Sequence, residues 1–306
     1  MIETNPYFSI ILPSYNRANF IKKAISSVLQ QQFRSWELIV VDDGSVDNTF
    51  EVVSSFTDSR IVYVWQNNQE RSAARNNGIN AAKGEYICFL DSDDEFLPMH
   101  LQGLYDFISK HQIKEAFFFT NLCLKQNETI KEIEACWPSH FHDIAFFFSS
   151  NIGIIPARWC VHHTIFKKHL FNPNLNISED VELGVRIVND FPIIHVNQHS
   201  VLYVLHDDNT TNLKNNVFKN RLNVSKSIFR NEIGKNISKL IMKDEICTCY
   251  FGIARFHIKR GDKLEAIGFL FKSIIIYPQN RATKHKIWLM IHICKSFFKS
   301  NTDIVC

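Results

Sequence analysis

Residues 88–94 read Cys-Phe-Leu-Asp-Ser-Asp-Asp, an apolar run that ends in three carboxylates within four positions. Carboxylates crowded this closely repel one another and raise each other's pKa unless something positive sits between them. A hard divalent cation with oxygen ligands is the natural partner, and Mg2+ or Mn2+ commonly also holds a substrate's phosphates. Asp91, Asp93 and Asp94 are therefore the first candidates for an active site. A local reading competes with this one. Acidic residues often follow a strand as helix N-caps, and Asp94 could cap a segment starting near Glu95–Pro98. A motif this short does not separate the two.

The elements that must position these residues say more. Glu85–Leu90 reads as a buried strand, and the first hundred residues alternate strand-like and helix-like segments. Phe8–Leu12 is a strand closed by Pro13, Trp36–Val41 a second and Arg60–Trp65 a third. Between them the spacing predicts helices over Asn19–Gln32, over Asp47–Phe56 with Asp47 as N-cap, and over Arg71–Ala82 with Gly84 as the stop. Such alternation predicts an α/β fold: a Rossmann-like, mostly parallel sheet flanked by helices, with ligands at the carboxyl ends of the strands. Three of those ends are polar, namely Pro13-Ser14-Tyr15-Asn16-Arg17, Asp42-Asp43-Gly44-Ser45 and Asp91-Ser92-Asp93-Asp94. One acidic strand end fits a cap. Three chemically suitable ends on one rim favour a nucleotide site.

The middle of the chain is less regular. Glu115–Leu124 reads as a strand, 125–134 as a polar loop or hairpin, Phe141–Ser149 as a helix, and Ile152–Pro156 and Trp159–Phe166 as buried. Ser178–Asn189 reads as a helix with Ser178 as N-cap and Glu179, Asp180 and Glu182 in its first turn, where the helix dipole favours acids. Ile193–Leu205 reads as a strand pair leading to His206. Residues 216–306 read as helices. Asp262–Tyr277, stopped by Pro278, is shaped like one helix of a tetratricopeptide-type hairpin, with no second copy to make an array.

Charge divides the chain as well. Residues 1–215 hold 17 Lys+Arg against 25 Asp+Glu, a net of −8; residues 216–306 hold 17 against 6, a net of +11. The change of sign suggests two parts, 1–215 and 216–306, with different partners. The eight cysteines form no C-x-x-C pair, so neither a zinc ribbon nor a thioredoxin-like motif is supported, and reduced thiols in the cytoplasm are expected. No signal peptide is evident, and no apolar run reaches the roughly 18 residues needed to span a bilayer. A soluble or peripherally attached protein is expected. Lys284–Lys299 interleaves Trp288, Leu289, Ile291, Ile293, Phe297 and Phe298 with lysines. That suits either an interfacial helix on an anionic membrane, at the inner face of the plasma membrane, or a helix packed on the rest of the protein.

With these strand ends in place, the chain resembles a family 2 glycosyltransferase of the GT-A fold. The matching stretches are Ser9–Arg17, Gln32-x-x-x-x-Trp36 through Ser45, Arg71-x-x-Ala-Arg-Asn-x-Gly78 and Ala82 through Asp94, with Ser178-Glu179-Asp180 through Arg186 resembling the family's acidic helix. The resemblance is dense over 7–100 and loose over the last ninety residues, which form a helical C-terminal extension. It implies transfer of a sugar from a nucleotide-sugar donor, UDP-linked, to a saccharide or lipid-linked acceptor in cell-surface polysaccharide synthesis, with inversion and without nucleic acid. It places Pro13, Ser14, Tyr15, Arg17, Asp43, Arg71, Arg75, Asp91 and Ser92 against the donor. Asp91 leans to the ribose, and Asp93, Asp91 and His206 are the ligands of Mn2+ or Mg2+. Asp180, with Glu179 in reserve, becomes the general base that deprotonates the acceptor hydroxyl. His206 also reads as structural, and Asp42 as a residue that only fixes its turn. A GT-A protein that binds nucleotide sugars without transfer is the alternative. A nucleotidyltransferase fits less well, because Pro13–Arg17 lacks the glycines of a phosphate loop.

Overall fold

The computed structural model describes residues 5–133, 142–144, 146–149, 155–206, 209, 217–280 and 282–302. Contacts divide the chain into two units, Met1–Asp207 and Asp208–Cys306. The expected division at 215/216 falls outside the described residues, as does most of the expected stretch Ile152–Pro156.

In the first unit, strands β1 (Phe8–Ser14), β2 (Trp36–Asp42), β3 (Ile61–Trp65) and β4 (Tyr86–Phe89) alternate with helices α1 (Ala18–Leu29), α2 (Thr49–Ser54) and α3 (Glu70–Ala81). Then follow β5 (Glu95–Phe96), α4 (His100–His111), β6 (Phe117–Gln126), β7 (Thr129–Ile133), α5 (Phe146–Ser149), β8 (Trp159–His162), α6 (Glu179–Asp190) and β9 (Ile193–Val204). The strands form one sheet in the order β3-β2-β1-β4-β8-β6-β9-β5, with β7 paired to β6. The half from β3 to β4 is parallel throughout; β8 runs antiparallel to β4 and β6, while β9 is parallel to β6.

Both faces are covered because the inner strands are apolar on both. Ile10 and Leu12 of β1 join a core with Ile21, Ala24, Ile25 and Val28 of α1 and Leu101, Leu104 and Ile108 of α4. Ile11 points the other way, towards α3, as strand alternation requires. Gly78 lets that helix lie close: a Cβ there would collide with the Ile11 side chain.

Three local expectations are corrected. Asp94 caps no helix, since the chain enters the short strand β5 and α4 begins only at His100. Ile193–Leu205 is not a strand pair but one long strand whose register against β6 shifts around Asn121, a bulge that breaks the alternation. Ser178 does precede α6, but at φ +62° and with no side-chain cap bond. A fourth expectation shifts by one residue: the N-cap of α2 is Asn48, and Asp47 stands just ahead of it. Its carboxylate accepts from the Thr49 amide at the start of α2 and from the Ala18 amide at the start of α1 (3.0 Å).

The second unit consists of α7 (Val217–Arg230), α8 (Lys239–Arg260), α9 (Lys263–Ile276) and α10 (Thr283–Thr302). Helices α8 and α9 form a hairpin turned at Gly261, where φ is +81°. Glu245 on α8 is buried and accepts from Nε and Nη2 of Arg221 on α7, both at 2.8 Å. No helix among the described residues is long and apolar enough to cross a membrane.

Burial also creates an acid-sensitive point in the first unit. His100 is fully buried, with Nδ1 2.8 Å from the Ser200 hydroxyl and its ring stacked on Phe96, and desolvation holds its pKa down to about 3. An unfolded chain takes up that proton near pH 6.5 and the folded one does not. Stability is therefore full above about pH 6.5 and falls as the pH drops towards 3, by at most about 1.4 kcal/mol per unit for this group. Urea midpoints at pH 7 and pH 5 should differ less in His100→Gln than in the wild type; an equal difference would remove His100 from the acid response.

Candidate active site

The carboxyl ends of β1, β2 and β4 form one rim. The Asp43 amide donates to the Ser14 carbonyl (2.8 Å), joining the first two ends. Between Tyr15 and Arg17 the backbone takes a left-handed step at Asn16 (φ +52°), whose Oδ1 accepts from the Val46 amide. Asparagine tolerates that conformation because its short amide bonds the local backbone. Tyr15 is left half exposed beyond the buried Ser14. Asp42 fixes its turn: it accepts from the Ser45 amide and from the Tyr63 hydroxyl (2.6 Å). Burial, then the hydrogen bond to Asp42, raises the pKa of Tyr63 above its ordinary value. Asp43 accepts on Oδ1 from Gln66 Nε2 and the Gln69 amide. Arg17 lies over the Phe20 ring, 5.5 Å from its centroid, and Arg71 stands in the first turn of α3, half buried.

Arg75, one helical turn further on, is only 3% exposed and sits between two acids. Its Nη2 is 2.8 Å from Asp91 Oδ1 and its Nη1 is 2.8 Å from Glu179 Oε1. Burial alone would lower the guanidinium's pKa, but the charges of Asp91 and Glu179 more than offset it and the net shift is upward. Arg75 thus stands as a strut tying the end of β4 to the start of α6. Asp180 stands next to Glu179 and accepts the Val181 amide on Oδ1.

The remaining acids at the end of β4 go elsewhere. Asp93 Oδ2 lies 2.9 Å from His206 Nε2, and the His206 ring stacks on Phe20 at 4.7 Å. Phe20 is thus a rim residue, one turn after Arg17. Asp94 is buried, accepts the Val204 amide on Oδ1 and leaves Oδ2 without a partner. Burial first, then the charges of Asp91 and Asp93, push its carboxyl well above the usual carboxylate range.

The structure therefore divides the expected metal trio: Asp93 and His206 meet, while Asp91 turns to Arg75. No group of three or more His, Cys, Asp or Glu among the described residues is arranged to hold a metal ion. Two protein ligands nevertheless fit a metal completed by a substrate's phosphates, the usual arrangement for Mg2+ and its relatives. The adjacent carboxylate and imidazole supply such a pair. His162 and His163 lie at the opposite end of β4, where the His163 amide donates to the Glu85 carbonyl.

Comparison with known proteins gives consistent matches. The model of the family described as "Glycosyl transferase family 2" matches residues 9–151. The putative colanic acid biosynthesis glycosyl transferase WcaA of Escherichia coli (strain K12) is 31% identical over 198 residues, 62% of this chain and 69% of that protein. The E. coli UDP-Glc:alpha-D-GlcNAc-diphosphoundecaprenol beta-1,3-glucosyltransferase WfgD is 41% identical over 123 residues, covering 40% of this chain and 48% of its own length. The chain thus spans about half of this second relative. Among solved structures, Staphylococcus aureus TarS 1–349 in complex with UDP-GlcNAc superposes with a TM-score of 0.61 at 16% identity, over 96% of this chain and 92% of that one.

Proposed function

This chain belongs to glycosyl transferase family 2 and is a glycosyltransferase of the GT-A fold, and from that premise we propose that it moves a sugar from a UDP-linked donor to a saccharide or lipid-linked acceptor in surface polysaccharide synthesis. The observation that carries this reading is the Asp91–Arg75–Glu179 bridge, which joins a donor-side acid to an acceptor-side helix. Tyr15 is free to stack on the base, Asp43 faces the base or ribose, and Asp91 and Ser92 border the ribose. Arg17 and Arg71 add positive charge near the diphosphate. Asp93 and His206, with Asp91 beside them, would hold Mn2+ or Mg2+, which neutralises charge building on the departing diphosphate. Asp180 removes the proton of the attacking acceptor hydroxyl. A single base and no evident protein nucleophile suit direct displacement with inversion.

The test is metal-dependent turnover of UDP-sugars by the wild type and by Asp91→Ala/Asp93→Ala. The double variant should lose about 10²-fold or more in rate, the scale expected when electrostatic stabilisation of a leaving group is removed. Wild-type rates in the double variant with metal present would sink the assignment.

We assign catalysis to 1–215 and attachment to 216–306. On α10 the Leu289, Met290 and Ile293 side packs into the second unit. Ile287, Trp288 and Ile291 stay exposed, and the described residues of the helix include no acid. That face suits an anionic membrane surface on the cytoplasmic side. Flotation with vesicles containing phosphatidylglycerol should show binding that weakens with salt; no binding at low salt ends this reading.

A further inference from the structure

Phe20 stands in the first turn of α1 but does not join the core that this helix builds. Ile21, Ala24, Ile25 and Val28 enter that core and Phe20 does not. Its ring turns to the rim instead. It stacks on the His206 imidazole with centroids 4.7 Å and planes 27° apart, and the Arg17 guanidinium lies 5.5 Å from its centroid. Rings stacked at this separation attract one another, and a cation near the same ring adds to the attraction.

The two sides of the stack are held differently. The start of α1 is bonded to the turn after β2: the Arg17 amide donates to the Thr49 hydroxyl (3.2 Å) and the Ala18 amide to the Asp47 carboxylate (3.0 Å). His206 lies beyond β9, whose pairing with β6 ends at Val204. The last backbone bond before it joins the Leu205 amide to the Lys125 carbonyl (2.9 Å). Side-chain contacts, rather than the sheet ladder, therefore set the direction of the imidazole.

One of those contacts is with Asp93, whose Oδ2 is 2.9 Å from Nε2 of His206; both side chains are 15% exposed, so a cation arriving from solvent can reach them. A histidine that binds a metal well has its ring orientation fixed by a contact other than the metal itself. The nitrogen facing Asp93 is the one that an ion shared with Asp93 would occupy, so that contact cannot serve. The Phe20 stack acts on the ring face and is indifferent to what Nε2 holds.

We propose that Phe20 is a positioning residue: it holds the plane of the His206 ring so that Nε2 stays turned to Asp93, and the pair is preset for a divalent cation. This rests on the transfer reading above and extends it to a side chain that would meet the ion only through His206. Because Arg17 lies against the same ring, the stack also ties the metal pair to a cation placed near the diphosphate.

The test is Mn2+ binding in the presence of UDP, read from the electron paramagnetic resonance signal of free Mn2+. Phe20→Leu should raise the Mn2+ Kd about three- to tenfold, the worth of one aromatic stack. Phe20→Tyr keeps the ring and should stay near wild type. With a UDP-sugar, the rate lost in Phe20→Leu at low Mn2+ should return at saturating Mn2+. In a His206→Ala background the same leucine change should weaken Mn2+ no further. An unchanged Kd in Phe20→Leu, an equal loss in Phe20→Tyr, or a full additional loss in the His206→Ala background overturns the role. A wild-type measurement stands even if Phe20→Leu does not fold: the ring protons of His206 should show a ring-current shift in the metal-free protein, and unshifted signals overturn the stack. His206→Ala keeps the two readings apart. Mn2+ affinity equal to wild type in that variant defeats the metal role of His206 and Phe20's role with it. Weakened affinity there, beside an unchanged Phe20→Leu, defeats the positioning role alone.

Discussion

Arg75→Met should lower the stability of the first unit by about 3–5 kcal/mol and abolish transfer. The guanidinium is 3% exposed and each of its Nη atoms is 2.8 Å from a different carboxylate. Glu179 is itself buried, with 5% of its side chain exposed, so removing Arg75 leaves a charge there without a counter-ion. Breaking a buried pair from one side costs several kcal/mol for that reason, far more than the intact pair contributes. Adding Glu179→Gln should recover part of the loss, because the second change removes the stranded charge. Urea unfolding followed by tryptophan fluorescence reads both effects. An Arg75→Met midpoint equal to wild type would show that the bridge is unimportant for stability.

The second large effect separates the two neighbouring acids of α6. Asp180→Asn should cut kcat by about 10²–10⁴-fold, the usual worth of a general base. Its donor KM and its unfolding midpoint should stay near wild type. Glu179→Gln should behave the other way, with lost stability preceding any specific loss of rate, since Glu179 is engaged by Arg75. The geometry underlies this division of labour: Glu179 is buried and held by Arg75, while Asp180 is the more open of the two acids. Steady-state kinetics beside equilibrium unfolding on both variants decides it, and near-normal kcat in Asp180→Asn would transfer the role to another group.

Much of this arrangement was legible from sequence because it is local. A strand end and the turn that follows it are specified within about ten residues, so the rim of β1, β2 and β4 followed from Pro13–Arg17, Asp42–Ser45 and Asp91–Asp94. The pairing of Cys88-Phe89-Leu90 with three acids marked the candidate site for the same reason. What could not be read locally depends on distant partners. Asp94 looked like a cap because its actual donor, the Val204 amide, is 110 residues away. The resemblance set Arg75 against the donor, but its contact with Glu179, 104 residues away, left no local trace. The single strand β9 was split in two because its bulge interrupts the alternation that marks strands.

The separations that obscured the site also set the order in which a nascent chain can complete it. Synthesis delivers the N-terminus first, at about 5–20 residues per second. The strands β1 to β4 can pair while Glu179 and His206 are still unmade. Their contacts to Arg75 and Asp93, 104 and 113 residues back along the chain, close last. A chain interrupted before residue 179 therefore carries the strand ends that would face a nucleotide, with the Arg75 guanidinium holding Asp91 alone. The half of the rim that would meet the donor is written early in the message, and the half that would meet the acceptor is made only once residue 179 has been added.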